Sequence, residues 1–470
     1  MPKRAVEPTV FSPQWLKLLS PWLWPTLFAL VCFIAAMGKN LSAFIFYPLG
    51  ILFTLYSLWA VQPVLPTTVL HALHYDSLFF WSGILLSLLF GLLGLMVYRQ
   101  TLQPERWGLL LLVYLSALLI AASGNLLLLF IGLESFFLLL VLWMAFDNRG
   151  QALTGVTIRL FLTGAFASAF MVFGMAFLFG VSGSLALSDI GASASRAPSF
   201  IYGMGLMLLL VGVFFKLSVV PFHHWTAEVY EDSPFPTLAM LATVSKLLGM
   251  VVLLKIFYHF PIPRDVLAIA AAVTMTVGNL GALAQNSVKR LLALSSISHV
   301  GFLLMGLASG NLAGFQAIGT YLIFYCAVFM GLVCLLMLLQ DNTGQLSDFD
   351  GLGQRYPGLS ALLTLFLLAL AGIPPTLGFV AKWKIFEASF QAGQLWLVLV
   401  AALNSLLAAY YYLNWVFRVF MRQGGSSYWL QEKQVALLCA LVIIGLVTVA
   451  LSLFPQSLLA LSAGLISNLM

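Results

Sequence analysis

Apolar residues run through this chain in stretches of about twenty, separated by short clusters of Gly, Pro, Asn and charged residues. An α-helix needs about 20 residues to cross the hydrocarbon of a bilayer, so the spacing predicts a series of membrane-crossing helices. About fourteen such segments begin near Pro21, Leu41, Ser77, Gly108, Asn125, Val156, Tyr202, Pro236, Asp265, Arg290, Ala313, Leu359, Gln394 and Val435. The fold class that follows is all-α and polytopic. An even number of spans places both ends on one side of the membrane. The first apolar run, 22–37, reads as the first span and not as a cleaved signal peptide.

Two runs do not fit the simple pattern. The stretch 202–230 is too long for one span and is interrupted at Val219-Val220-Pro221-Phe222. The stretch 359–390 is interrupted at Gly372-Ile373-Pro374-Pro375-Thr376-Leu377-Gly378. Proline removes a backbone donor and clashes with the preceding turn, so Pro221, Pro374 and Pro375 should break both helices inside the membrane. Broken spans at matching places, here the seventh and twelfth, point to inverted repeats of five helices with a site at the membrane midplane. The organisation expected is three helices in 1–107, a first repeat in 108–258, a second in 259–422 and a last helix in 423–470.

Composition agrees: of 470 residues, 62 % are hydrophobic and 8 % charged. Arg99, Arg106, Arg149, Lys289, Arg290, Arg355, Arg418, Arg422 and Lys433 fall on one side of a fourteen-span arrangement, which is therefore assigned to the cytoplasm. Arg196 and Arg264 lie opposite, as do Lys3, Arg4 and Lys17, which argue the other way. The net charge of +6 is dispersed singly through loops, which excludes a nucleic-acid-binding stripe. Cys32, Cys326, Cys334 and Cys439 form no CxxC pair and read as small buried hydrophobes in helices. No GxGxxG, Walker loop or haem-type His pair is present, so no cofactor-binding or metal residues are expected in this chain.

The chemistry lies in charges within the apolar runs. Glu134, Lys216 and Lys246 fall close to the middle of their segments, His299 at a similar depth, and Lys382 roughly 10 Å past the middle of the second broken run. A charge near the bilayer centre costs at least about 2.5 kcal/mol, so such residues mark an ion or proton path by default. Burial disfavours charged lysine and a nearby carboxylate restores it, so small rearrangements can load or unload a proton. Glu134 is the candidate partner of Lys216; a static ion pair joining two helices is the bland alternative.

His299 is flanked by Ser295, Ser296 and Ser298, whose hydroxyls can hold water, and its ordinary pKa suits proton exchange. A satisfied core histidine is the competing reading. His223 and His224 look loop-facing, one of them suited to fixing the break by a hydrogen bond. Arg159 stays protonated and reads as a fixed field. Lys255, Lys289, Arg290, Lys384, Arg418 and Arg422 lie near helix ends and are expected to snorkel to headgroups. Tyr410, Tyr411 and Tyr412 are expected to pack between helices or to join an interfacial belt.

Three stretches carry a resemblance: Phe215-Lys216-Leu217-Ser218-Val219-Val220-Pro221-Phe222-His223-His224-Trp225, Val288-Lys289-Arg290-Leu291-Leu292-Ala293-Leu294-Ser295-Ser296-Ile297-Ser298-His299, and Gly372-Ile373-Pro374-Pro375-Thr376-Leu377-Gly378-Phe379-Val380-Ala381-Lys382. Over roughly 110–418 the chain resembles the antiporter-like membrane subunits of respiratory complex I, the NADH-quinone oxidoreductases. The resemblance implies fourteen helices with two inverted five-helix repeats and one proton-pumping module of a membrane arm. It also implies a multi-pass location in a bacterial inner membrane, with other membrane-arm subunits as partners. NADH, FMN, iron-sulfur clusters and quinone are implied in those partners and none in this chain.

By the same likeness Glu134 and Lys216 form a charge pair, Lys246 continues the hydrophilic axis and Lys382 ends it. Three features depart from the family pattern: Arg159 where lysine is common, His224 in place of an apolar residue, and Glu231-Asp232-Ser233-Pro234 in place of a small neutral turn. The expected route takes protons up from the cytoplasm, along Lys216 and Lys246, past His299 and out beyond Lys382. A sodium/proton antiporter subunit of a multi-component exchanger and a non-pumping scaffold are the alternatives.

Overall fold

A computed structural model describes residues 13–37, 43–62, 65–69, 72–98, 103–146, 151–196, 198–340, 344–422, 429–430 and 435–466. Lys3, Arg4, Arg99, Arg149 and Lys433, used above to orient the chain, lie outside the described residues. Among those described, twelve helices are long and apolar enough to cross a membrane. Two shorter apolar helices, Ile45–Val61 and Pro357–Ala371, bring the spans to the expected fourteen. The chain divides into two compact units: Met1–Val213 with Val251–Pro261 and Gly464–Met470, and Phe214–Met250 with Ile262–Ala463.

In chain order the helices are α1 (Pro13–Met37), α2 (Ala43–Val61), α3 (Ser77–Val97), α4 (Pro104–Ala122), α5 (Leu126–Ala145), α6 (Gln151–Ser182), α7 (Leu187–Ser193) and α8 (Ser199–Leu217). There follow α9 (His224–Asp232), α10 (Phe235–Ala239), a π turn (Met240–Val244), α11 (Ser245–His259), α12 (Arg264–Leu283), α13 (Val288–Ser309) and α14 (Leu312–Leu338). The remainder are α15 (Leu352–Arg355), α16 (Pro357–Ala371), α17 (Leu377–Gln391), α18 (Leu395–Met421), α19 (Val435–Leu453) and α20 (Pro455–Ile466).

In the first unit α1 packs on α2 and α4, and α4 passes the packing on to α5 and then α6. One end of this unit is closed by extended backbone. Strands β1 (Thr67–Val69) and β2 (Leu73–Tyr75) form an antiparallel hairpin. Leu73 bridges Ser123, and Asn125 bridges Ala186. Asp76 and Asn125 then start α3 and α5 by accepting from Phe79 N at 2.7 Å and Leu127 N at 2.8 Å, which satisfies otherwise orphaned helix donors.

The second unit is built around α13 and α14, almost wholly buried. The close approach of α12 to α13 requires glycine: a Cβ at Gly278 would lie 2.6 Å from Ser298 N, and one at Gly301 2.6 Å from Met275 N. Two short strands, β3 (Leu339–Gln340) and β4 (Trp429–Leu430), pair antiparallel in this unit.

Cys439 is exposed, whereas Cys32, Cys326 and Cys334 are buried as expected. A helix such as α19, apolar all round, gives no pattern from which to tell its inward face. Of the three consecutive tyrosines, Tyr411 and Tyr412 are buried between helices while Tyr410 is exposed.

Candidate functional site

The two interrupted spans are broken where proline predicted, and both breaks use the same backbone device. At the end of α8, Ser218 takes a left-handed φ of 63°, Ser218 N donates to Phe215 O at 3.0 Å and Val219 N to Phe214 O at 2.9 Å. At the end of α16, Gly372 has φ 77°, Gly372 N reaches Ala369 O at 3.0 Å and Ile373 N reaches Leu368 O at 3.2 Å. These are Schellman closures, which satisfy part of the four carbonyls that every helix C-terminus leaves over. Pro221 and Pro375 follow cis peptide bonds just beyond them.

Lysine closes what remains. Lys246, 1 % exposed, donates from Nζ to Leu217 O at 2.6 Å and to Ser218 Oγ at 2.8 Å, and lies 5.9 Å over the Trp225 ring. Trp225 Nε1 donates to Phe215 O at 3.2 Å, and Ser245 Oγ to Lys216 O at 3.4 Å. All four terminal carbonyls of α8 are thus engaged. The π turn sits immediately before Ser245, and such single π turns are rare and concentrate at functional sites.

At the second break Lys382, 3 % exposed, donates to Ala371 O at 2.8 Å with Nζ 4.9 Å over the Phe302 ring. Desolvation works against a buried ammonium, while carbonyl acceptors and the negative end of a half-helix favour it. A group balanced between these terms can hold or surrender a proton when the break shifts.

His299, 3 % exposed, shares a 2.6 Å hydrogen bond between Nδ1 and Tyr321 Oη, and its ring lies 5.0 Å from that of Tyr325. Nothing in the apolar run around Tyr321 marks the direction in which its side chain points. Nearby in the same unit, Tyr412 Oη donates to Ser295 Oγ at 3.0 Å and Tyr411 Oη to Asn279 Oδ1 at 3.1 Å. Asn279 Nδ2 donates to Asn404 Oδ1 at 2.9 Å, and Asn404 Nδ2 to Thr276 Oγ1 at 3.0 Å. This buried polar chain extends the set of hydroxyl and amide groups beyond the residues named from sequence.

The other expected residues are placed as follows. Glu134, half-buried on α5, accepts from Ser168 Oγ at 2.5 Å within the first unit. Lys216 is buried near the end of α8, in the second unit. Arg159 is exposed on α6. His223, at the start of α9, and exposed His224 stack with ring centroids 4.5 Å apart and line a cavity of about 290 Å³ with Gln285 and Arg290. Pro221, Pro374 and Pro375 are exposed at their breaks.

The snorkelling expectation fails for Lys255. It is 4 % exposed and turns inward, donating to Ala121 O at 2.5 Å and Ser123 O at 2.7 Å at the C-terminus of α4. Lys289 likewise donates to Glu231 O at 3.3 Å and Ser233 O at 2.7 Å at the end of α9. Position along a helix sets depth but not direction, and helix C-termini attract both amines. Arg418 binds Asp350 at 3.4 Å and Lys384 binds Glu387 at 2.8 Å, at partly exposed positions.

Discontinuous helices whose breaks hold buried ionisable residues define a membrane transporter of the broken-helix class. The sequence pattern of the family described as NADH:quinone oxidoreductase/Mrp antiporter, TM, matches residues 123–408. The chain is 36 % identical over 369 residues to NADH-quinone oxidoreductase subunit N 2 of Solibacter usitatus, covering 76 % of this chain and 75 % of that one. It is also 36 % identical over 375 residues to NADH-quinone oxidoreductase subunit N of Mycobacterium tuberculosis, covering 77 % and 71 %.

Among solved structures, a chain of respiratory complex I from Thermus thermophilus with bound aureothin superimposes with TM-score 0.83 at 29 % identity, covering 94 % of this chain and 98 % of that one. A chain of the Mrp complex from Dietzia shares the fold alone, with TM-score 0.86 at 19 % identity, covering 97 % of each chain. The chain belongs to the NADH:quinone oxidoreductase/Mrp antiporter transmembrane family.

Proposed function

We propose that this chain is a proton-translocating subunit of a complex I-like NADH-quinone oxidoreductase in a bacterial inner membrane. The observation that carries the reading is the pair of buried amines, Lys246 and Lys382, each bonded to the last carbonyl before a helix break. Lys216 and Lys246 hold protons taken up from the cytoplasmic side, and a change in the charge of Glu134 releases them. His299, with Tyr321 as its partner, passes them towards Lys382, from which they leave.

Each proton moved against 100 mV requires about 2.3 kcal/mol, so a driver is needed. That driver is quinone reduction in partner subunits, which carry the NADH, FMN, iron-sulfur and quinone chemistry. This chain supplies positioning, desolvation and proton transfer.

The test is NADH-driven acidification of sealed inverted vesicles carrying the whole complex. Lys216→Ala is expected to abolish acidification; pumping at the wild-type ratio of protons to NADH overturns the reading. The family also includes Mrp antiporters, so the same vesicles are assayed with sodium in the absence of NADH. Sodium-dependent proton flux under that condition selects the exchanger.

A further inference from the structure

The first unit holds a titratable cluster that the route through the second unit does not use. A cavity of about 280 Å³ opens between the β1–β2 hairpin, the backbone after α4 and the end of α11. His74 and Asp76 line it from the hairpin side, Lys255 and His259 from α11, and Ser123 from the loop between them. Tyr75 and Tyr258 are the remaining titratable groups on its wall, and α7 contributes only Leu187.

The site is built and not incidental. The chain crosses itself here through Gly124 N to Ala72 O at 2.9 Å and Leu187 N to Gly124 O at 3.2 Å. Gly124 leaves room for the His74 imidazole, since a Cβ there would lie 2.6 Å from the ring. Lys255 is pinned by the carbonyls of Ala121 and Ser123, which occupy two of its three donors and leave one for the cavity it lines. Gly191 admits the end of α11 in the same way, since a Cβ there would clash with His259 O.

An amine, a carboxylate and two imidazoles around a space large enough for several waters have the composition of a proton-exchange site. By the basic-residue assignment this face is opposite the one that carries Arg106, and so faces away from the cytoplasm. Burial, and then the Lys255 ammonium, hold His74 below the usual histidine value, with Asp76 pulling the other way. His74 is therefore mostly neutral near pH 7 and able to accept a proton.

We propose that the cavity bounded by His74, Asp76, Lys255 and His259 is a second proton-release site, specific to the first unit and facing the non-cytoplasmic side. In the releasing step the N–H bond that forms when His74 takes up a proton breaks and an O–H bond forms on cavity water. The electron pair stays on the ring nitrogen, and Asp76 balances the charge left on Lys255. This inference rests on the proton-translocation reading above.

The test uses inverted vesicles carrying the intact complex, with lumenal pH varied at fixed external pH. An ordinary histidine is half protonated at about pH 6.5 and His74 is held below that value, so the wild-type ratio of protons to NADH should inflect on the acid side of about pH 6.5. His259→Gln, and separately His74→Gln, should flatten this dependence on lumenal pH and leave that on external pH in place. Amounts are normalised to assembled complex, and if one variant does not assemble the other decides.

Lys216→Ala runs in parallel. An unchanged lumenal profile in the histidine variants, with Lys216→Ala inactive in pumping, overturns the second release site alone. Normal pumping by Lys216→Ala overturns the translocation reading and the inference with it.

Discussion

At the first break the amine that holds the last carbonyl of α8 comes from α11, 29 residues on, whereas at the second it comes from α17, 11 residues on and immediately past the break. The left-handed residue differs too. Ser218 bears a side chain at φ 63°, a conformation costly without glycine, and its Oγ accepts from Lys246. Gly372 has none, and a Cβ there would lie 2.7 Å from Lys382 Cδ. One backbone solution is thus reached by opposite side-chain choices. The first break ties separate helices through a strained serine, while the second leaves the left-handed position bare so that a lysine stem can cross it.

The largest expected effect follows from the number of acceptors each lysine serves. Lys246→Met leaves Leu217 O and Ser218 Oγ without their donor, and Lys382→Met leaves Ala371 O. Each orphaned buried group costs about 1–3 kcal/mol, so the first variant should be the less stable by roughly one such term. Both should stop pumping. Thermal unfolding of the purified complex, with vesicle acidification alongside, checks the order; equal destabilisation would mean that the two breaks are held alike despite their different geometry.

How much of this was legible beforehand depended on which dimension of a helix a residue's role uses. The fourteen spans, the breaks at Pro221, Pro374 and Pro375, and the interior placement of Lys246, Lys382 and His299 all follow from position along the chain, which composition and proline mark directly. Direction around a helix is different. Helices apolar on every side carry no facing signal, so Tyr321 opposite His299 and the Asn279 to Asn404 link went unnoticed. The same blindness put Lys255 among the snorkelling residues, although it is 4 % exposed and bound to the end of α4. Only pairing in space shows that Lys246, Lys255, Lys289 and Lys382 all donate to carbonyls at helix C-termini.

A middle-sized effect separates the left-handed residues. Gly372→Ala meets both the φ of 77° and the Lys382 stem, so it should cost more than the roughly 1 kcal/mol of the conformation alone and should displace Lys382. Ser218→Gly relieves strain of similar size but removes an acceptor from Lys246, whereas Ser218→Ala loses the acceptor and keeps the strain. The glycine variant should therefore exceed the alanine variant in stability by about 1 kcal/mol. Equal melting temperatures for the two serine variants would show that Ser218 carries no strain, and the contrast with Gly372 would then reduce to packing against lysine.

The smallest expected effect probes the other side of each break, where a hydroxyl from a neighbouring helix accepts a backbone N–H. Val220 N donates to Thr274 Oγ1 at 3.2 Å, and Leu377 N to Ser452 Oγ at 2.9 Å. The bonds are not equivalent: at 3.2 Å the one at Val220 is longer than the 2.9 Å bond at Leu377, and so the weaker of the two. Ser452→Ala should cost about 1–2 kcal/mol and Thr274→Val under about 1 kcal/mol. Amide hydrogen exchange at Val220 and Leu377 reads each bond directly. Faster exchange at Leu377 in Ser452→Ala, with little change at Val220 in Thr274→Val, is the expected result. The reverse order would make the bond at the first break the stronger of the two and would shift the tighter constraint from the second break to the first.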